Sequence, residues 1–339
     1  MMKKSDHIQN GENEMADIQN LTKLLADARE KGYAVGSFSA RYTKLIRPII
    51  QAAINTNSPV IVQLSEKEVI RHKVGIKEFA DEFYRVAEEL DPQIPLSLHL
   101  DHTKTLDVIK EALEAGFTSV MIDASEKDFD ENTAITQRVM EMAEPYHATV
   151  EAELGKIGTT DFAETDTDEE LYTNPEEAAE FCRLTGVDCL AVSVGTAHGV
   201  YTVRQPKVDY ERLEAINRLT DTPLVLHGGS GVPSEMVVKA AQIPTGGVSK
   251  VNIATDIELA MLAVIGREGH MTEEELNSLR KKMAGTDTGD EAKGFGVSNV
   301  NRRIKYYYGE EYGVFFESKE NEGTNATIII AAKNIQLPS

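Results

Sequence analysis

The chain of 339 residues carries 56 acidic and 35 basic side chains, a formal net charge of −21, which disfavours a nucleic-acid partner and indicates an acidic, soluble surface. Its two cysteines, Cys182 and Cys189, are too few for a disulfide framework or a four-thiolate metal site and point to a reducing, cytoplasmic compartment. No run approaches the roughly 18 apolar residues of a membrane span, and the N-terminal MMKKSDHIQNGENEM lacks the apolar centre of a signal peptide, so residues 1–16 read as a polar extension and no membrane partner is expected.

From Asp17 onward, short apolar runs alternate with amphipathic helical stretches, the rhythm of a parallel sheet wrapped by helices. The runs are AVGSF (34–38), PVIVQL (59–64), PLSLHL (95–100), TSVMI (118–122), ATVEAEL (148–154), CLAVSV (189–194), PLVLH (223–227) and KVNI (250–253). Their continuous apolar character suits strands buried on both faces. KTLDVIKEALEAG between two of them has apolar residues at helical spacing and Gly116 as its stop. Eight repeats favour a closed (β/α)8 barrel, an α/β fold, over an open doubly wound sheet. The acidic stretch 161–170 alternates carboxylates but lacks the glycine and the final spacing of a calcium loop, so it reads as a solvated loop over the barrel mouth. Past Val264 the rhythm stops, and residues 265–339 read as a separate α+β tail with aromatic-rich strands.

Active sites of such barrels lie at the C-terminal ends of the strands. There the third run supplies His99, Asp101 and His102, the fifth Glu151 and Glu153, the sixth leads to His198 in GTAHG, the seventh ends at His227, and the eighth adds Asn252 and Thr255. Three histidines from separate strand ends, with one position left open, match a catalytic zinc site; a nearby Asp and Glu complete an acid/base set. Because side chains alternate along a strand, His99 shares a side with Asp101 and competes with His102 for the ligand role. The small-residue turns GTAHGVY, HGGSGVP and NIATD lie at helix starts, whose free N–H groups bind phosphate. A phosphorylated substrate beside a metal is the natural inference.

In order and spacing, GYAVGSF, LHLDH, GFTSVMIDAS, VEAELG, GTAHGVY with PKVD, LVLHGGSG and KVNIATD resemble the class II fructose- and tagatose-bisphosphate aldolases over residues 17–264. The resemblance implies Zn2+ on His102, His198 and His227. It makes Asp101 the acid/base at the C4 hydroxyl, Glu153 an aid to proton exchange at C3, and Asn252 the group that orients the dihydroxyacetone portion. Ser65, Gly199, Gly228, Ser230 and Thr255 match substrate- and phosphate-binding positions. A homo-oligomer, dimer or tetramer, is implied, and a monovalent-cation requirement stays open. Departures fall at Ser39, at Glu66-Lys67-Glu68, at Glu126 and at Gly158-Thr159-Thr160-Asp161, leaving the sugar open between the fructose and tagatose types. Lys250 reads as structural rather than as a Schiff-base former.

The tail, from GHMTEEELNSLRKKM through GFGVSNVNRRIKYYYGEEYGVFFESKENEGTNATIIIAAK, resembles the end of a sensor histidine kinase ATP-binding domain, and so reads as a fusion. The metal-binding Asn helix of that family is missing, so no working nucleotide site is expected. Two further readings stand beside the zinc aldolase: a zinc-binding but catalytically impaired fusion, and a signalling protein that binds nucleotide through the tail.

Overall fold

A computed structural model of the chain describes residues 16–157, 171–199, 201, 205–264, 313–319 and 323–329. Eight parallel strands, β1 (Val35–Ser39), β2 (Val60–Ser65), β3 (Leu96–Thr103), β4 (Ser119–Ile122), β5 (Thr149–Leu154), β6 (Cys189–Val192), β7 (Leu224–Leu226) and β8 (Val248–Ile253), form a closed barrel in sequence order. β1 pairs with β2 on one side and with β8 on the other, so the sheet has no free edge. Each predicted run overlaps one strand, and the expected (β/α)8 barrel is the architecture found. β3 runs on to Thr103, past the end of its apolar run.

Alternation along the strands sorts two environments. Val60, Val62, Leu64, Leu96, Leu98, Leu100, Val150 and Ala152 face the surrounding helices in the main apolar core. The helix Ile76–Leu90 meets that core with Ile76, Phe79, Ala80, Phe83, Val86 and Ala87, a stripe at helical spacing that is buried throughout. The helix Leu106–Glu114 ends where KTLDVIKEALEAG predicts, with Gly116 at φ 93° accepting the turn.

The barrel lumen is divided along its length. Its N-terminal end is closed by the helix Leu21–Lys31, capped by Asn20 and stopped by Gly32, whose Leu21, Leu24, Leu25 and Ala28 pack with Val35, Ile61, Met121, Cys189, Ala191 and Val225. Each large aliphatic side chain buried here contributes about 1.5–3 kcal/mol, so this plug carries stability that the rest of the lumen does not. Further along, the interior is polar: Gln63, His99, Glu151 and Lys250 are fully buried, and Asp101 and Glu153 nearly so. The strands are therefore less uniformly apolar than their runs suggested.

The chain divides into two compact units, Met1–Thr255 and Asp256–Ser339, the division falling at the start of the helix Thr255–Val264. In the second, β9 (Gly313–Lys319) and β10 (Gly323–Ile329) form an antiparallel pair with Gly313 opposite Ile329. The acidic stretch 161–170, the departures at 158–161 and the helical and Gly-rich parts of the predicted tail lie outside the described residues. Among the described residues no helix is long and apolar enough to cross a membrane.

Candidate metal centre and active site

Strict alternation would place His102 on the opposite side of β3 from Asp101. The pairing of β3 with β4 shifts register between Leu100 and Thr103, and His102 adopts φ 34°, a left-handed conformation unusual for a side-chain-bearing residue. This bulge re-aims the side chain, as bulges beside active sites commonly do. The His102 N–H points at Met121 Sδ, 3.3 Å away, and its Nδ1 lies 3.1 Å from Asp123 Oδ2.

His198 follows β6 and His227 follows β7. Their loops are locked together at Gly228, which sits at φ +64°, where a Cβ would lie 2.5 Å from the Ala197 carbonyl oxygen. Gly228→Ala should therefore cost about 1–2 kcal/mol for the left-handed backbone alone, with the overlap added, and should separate His198 from His227. Thermal unfolding and metal content measured on one sample check this; an unchanged metal content would show that the loop contact does not hold the two rings.

The three imidazoles converge. Ring centroids lie 4.4 Å apart for His102 and His227, 4.9 Å for His102 and His198, and 5.9 Å for His198 and His227. One nitrogen from each falls within 4.8 Å of the others. His102 Nε2 is buried without a hydrogen-bond partner, and His227 Nδ1 and Glu153 Oε2, buried and without a well-formed hydrogen bond, face each other at 3.3 Å. Buried polar atoms so poorly satisfied cost free energy unless something binds them, and imidazole nitrogens with a carboxylate are the donor set a divalent transition-metal ion prefers. The residues present fit a metal. The opposite ring nitrogens are held by carboxylates, His102 Nδ1 by Asp123 and His227 Nε2 by Glu151 at 2.9 Å, the arrangement that orients histidine ligands. His99, the competitor, is fully buried below this cluster, with Nδ1 2.9 Å from Ser119 Oγ and Nε2 3.4 Å from Lys250 Nζ.

Electrostatics divide the three rings. Burial, together with the neighbouring His102 and His227, pushes His198 down to about 3, so it is neutral. Burial works against a charge on His227, yet Glu151 and Glu153 outweigh it and raise this ring to about 10. Burial likewise opposes charge on His102, but Asp101 and the other carboxylates around it raise it. A metal ion bound by these rings would have to displace a proton from His227 at neutral pH. Apparent metal affinity is expected to rise with pH, about tenfold per unit for each proton displaced, until His227 titrates near 10. Metal titrations at several pH values in a weakly buffered indicator solution measure both slope and released protons; an affinity independent of pH would remove His227 from the ligand set.

Beside the imidazoles, Asp101 is 4% exposed and accepts from Gln63 Nε2 at 3.0 Å and from Asn252 Nδ2 at 2.9 Å. Burial opposes its charge, but His102, His227 and Lys250 hold its pKa below the usual carboxylate value, so it is ionised.

Residues 19–304 match the family of class II fructose-bisphosphate aldolases. The chain belongs to that family. It is 36% identical over 288 residues to the fructose-bisphosphate aldolase of Staphylococcus aureus strain Mu50, covering 83% of this chain and 98% of that enzyme. A probable fructose-bisphosphate aldolase of Bacillus subtilis strain 168 is 38% identical over 245 residues, 72% of this chain and 83% of the relative. Among solved structures, the YdjI aldolase of Escherichia coli K12 superposes with a TM-score of 0.64 at 30% identity, covering 80% of this chain and 98% of that one. The protein is thus a carbon–carbon lyase of the class II aldolase family. The family match continues 40 residues past the predicted boundary at Val264, into the stretch read from sequence as a kinase-like tail.

The other residues singled out for this aldolase lie around the same strand ends. Ser230 Oγ accepts from the Ala254 N–H at 3.1 Å and the Gly229 N–H donates to the Asn252 carbonyl at 3.1 Å, tying HGGSG to NIATD. Gly199 directly follows His198 with φ 121°, and Thr255 opens the helix Thr255–Val264. Ser65 ends β2, where its hydroxyl oxygen accepts from the Glu68 N–H and Glu68 accepts from the Ser65 N–H, a capping box that starts the helix Glu66–His72.

The residues that depart from the aldolase pattern have partners of their own. Ser39 accepts from Gln63 at 3.1 Å, Glu66 from the Lys104 N–H at 2.7 Å, Glu68 lies 3.4 Å from Arg41, and Glu126 lies 2.8 Å from Lys104. Burial pushes Glu68 up despite the Arg41 charge beside it. Two contributors went unrecognised in the sequence: Gln63, which holds Asp101, and Asp123, which holds His102. Gln63 was detectable as the one polar residue in PVIVQL, and Asp123 as the carboxylate that ends the β4 run.

Proposed function

We propose that the protein catalyses reversible aldol cleavage of a ketose 1,6-bisphosphate of the fructose or tagatose class, giving dihydroxyacetone phosphate and an aldehyde phosphate, with one Zn2+ held by His102, His198 and His227. The observation that carries the reading is the convergence of three imidazoles, one nitrogen of each within 4.8 Å of the others, with His102 Nε2 buried and unpartnered. When bound there, the cation supplies a Lewis acid for the ketone oxygen, on which negative charge develops as the C3–C4 bond breaks.

This chain's own residues supply the rest. Asp101, already ionised, accepts the proton of the C4 hydroxyl as that carbon becomes the aldehyde carbonyl. Glu153, 3% exposed at the end of β5, handles the proton at C3. Asn252 orients the dihydroxyacetone portion while holding Asp101. The backbone N–H groups around Gly199, Gly228, Ser230 and Thr255 hold phosphate, with Ser65 contributing from the end of β2.

Cleavage of both sugars by purified protein, before and after chelation and with metal content measured on the same sample, tests the proposal. Activity lost to chelator and restored by Zn2+ supports it. About one zinc per chain without cleavage of either sugar would leave the ligands standing and remove the substrate assignment, the outcome that favours an impaired barrel; no zinc at all would sink the metal reading.

A further inference from the structure

We propose that the Lys250–Glu151 pair, sealed inside the barrel beneath the histidine cluster, is a positioning device for His227 that decides which ring nitrogen faces the cation; this rests on the metal reading above. Both side chains are completely buried. Lys250 Nζ donates to Glu151 Oε2 at 2.8 Å, and the other carboxylate oxygen, Oε1, lies 2.9 Å from His227 Nε2. With Oε2 anchored by the ammonium group, Oε1 is fixed on Nε2, and the ring can present only Nδ1 to the cluster, where this buried atom lies 3.3 Å from Glu153 Oε2.

Stability does not account for the pair. A buried ion pair is a weak stabiliser, and well-packed apolar side chains of similar volume serve a fold as well or better. The adjoining layer of the same lumen shows that alternative in use, with Ile61, Met121, Ala191 and Val225 around the plug helix. What the pair does have is a directional contact with a histidine of the cluster. Its neighbours fit the same role: His99 Nε2 lies 3.4 Å from Nζ, and the Cys189 thiol donates to Oε2 at 3.7 Å, both on the anchored side of the carboxylate. His102 is oriented by different means. Its partner Asp123 is fixed through its other oxygen, which accepts from the Ser125 hydroxyl at 2.7 Å and the Ser125 N–H at 3.3 Å, so the two histidines have independent supports.

The test uses the full-length protein and Co2+ as the probe, read by its absorption spectrum and by titration. The double variant Glu151→Gln/Lys250→Met removes both charges at nearly constant volume, and so avoids leaving a single charge buried. It is expected to keep its fold by circular dichroism and thermal unfolding, to bind Co2+ about 10- to 100-fold more weakly, and to shift the ligand-field bands. A folded double variant with unchanged affinity and spectrum would overturn the proposal. If the double variant does not fold, Glu151→Asp decides: it keeps the charge and withdraws the carboxylate from Nε2, so the same weakening is expected, and unchanged Co2+ binding overturns the proposal. Failure of the unmodified protein to bind Co2+ would instead remove the metal reading itself, and this inference with it.

Discussion

Replacing Asp101 by alanine is expected to lower kcat for aldol cleavage by roughly 10²- to 10⁴-fold, the range for loss of a positioned general acid/base, while the protein keeps its metal. The carboxylate is buried, held by an amide donor on each oxygen, and kept ionised by His102, His227 and Lys250 against the opposing effect of burial. Those features fit a group that must accept a proton without first losing one. The substitution also strands Gln63 and Asn252, two buried amide donors, at a cost of about 1–3 kcal/mol each. A lower unfolding temperature should therefore accompany the loss of activity. Because His102 and His227 are held by Asp123 and Glu151 rather than by Asp101, metal content is the control that separates lost chemistry from lost structure. Steady-state kinetics with metal analysis on one preparation decides the matter, and a kcat within tenfold of the parent would take the proton transfer away from Asp101.

Most of the barrel was legible because the outward face of every strand is apolar and falls on helices whose stripes are equally plain, as in PVIVQL and KEFADEFYRVAEEL. The lumen was harder to read. Gln63 and Lys250 sit among aliphatic neighbours, and a run scored by its overall hydropathy absorbs them, although both lie on the inward face with His99, Asp101 and Glu151. Lys250, read as structural, is a bonded partner of Glu151. The histidine cluster could be anticipated from strand ends alone, since a closed barrel gathers them into a ring. Which histidine of LHLDH belongs to it could not, because the register shift after Leu100 is marked by no glycine or proline. The departure at Glu66-Lys67-Glu68 forms a capped helix start, a signal present in the sequence as Ser65 followed three residues later by Glu68.

That bulge yields the second expectation. His102→Ala should take metal content from about one ion per chain to background and abolish cleavage with it, whereas His99→Gln should retain metal. Plain alternation along β3 would give the opposite result, since His99 and Asp101 share the inward face and His102 would turn away. In the structure, the φ of 34° at His102 reverses this, bringing its ring centroid to 4.4 Å from that of His227 and 4.9 Å from that of His198. A left-handed backbone at a histidine costs about 1–3 kcal/mol, and such strain persists only where the surroundings impose it; here the Met121 sulfur, Asp123 and the cluster itself hold the residue. His102→Gly should accordingly relieve backbone strain while removing the ligand, giving a metal-free protein whose thermal unfolding is no worse than that of His102→Ala. His99, by contrast, contacts Ser119, Lys250 and Glu151, and is held neutral, with burial and Lys250 lowering it to about 3, so an uncharged glutamine replaces it without changing the local charge. Metal analysis of the two variants side by side distinguishes the bulged from the regular strand: metal kept by His102→Ala and lost by His99→Gln would mean that β3 presents the other histidine to the site.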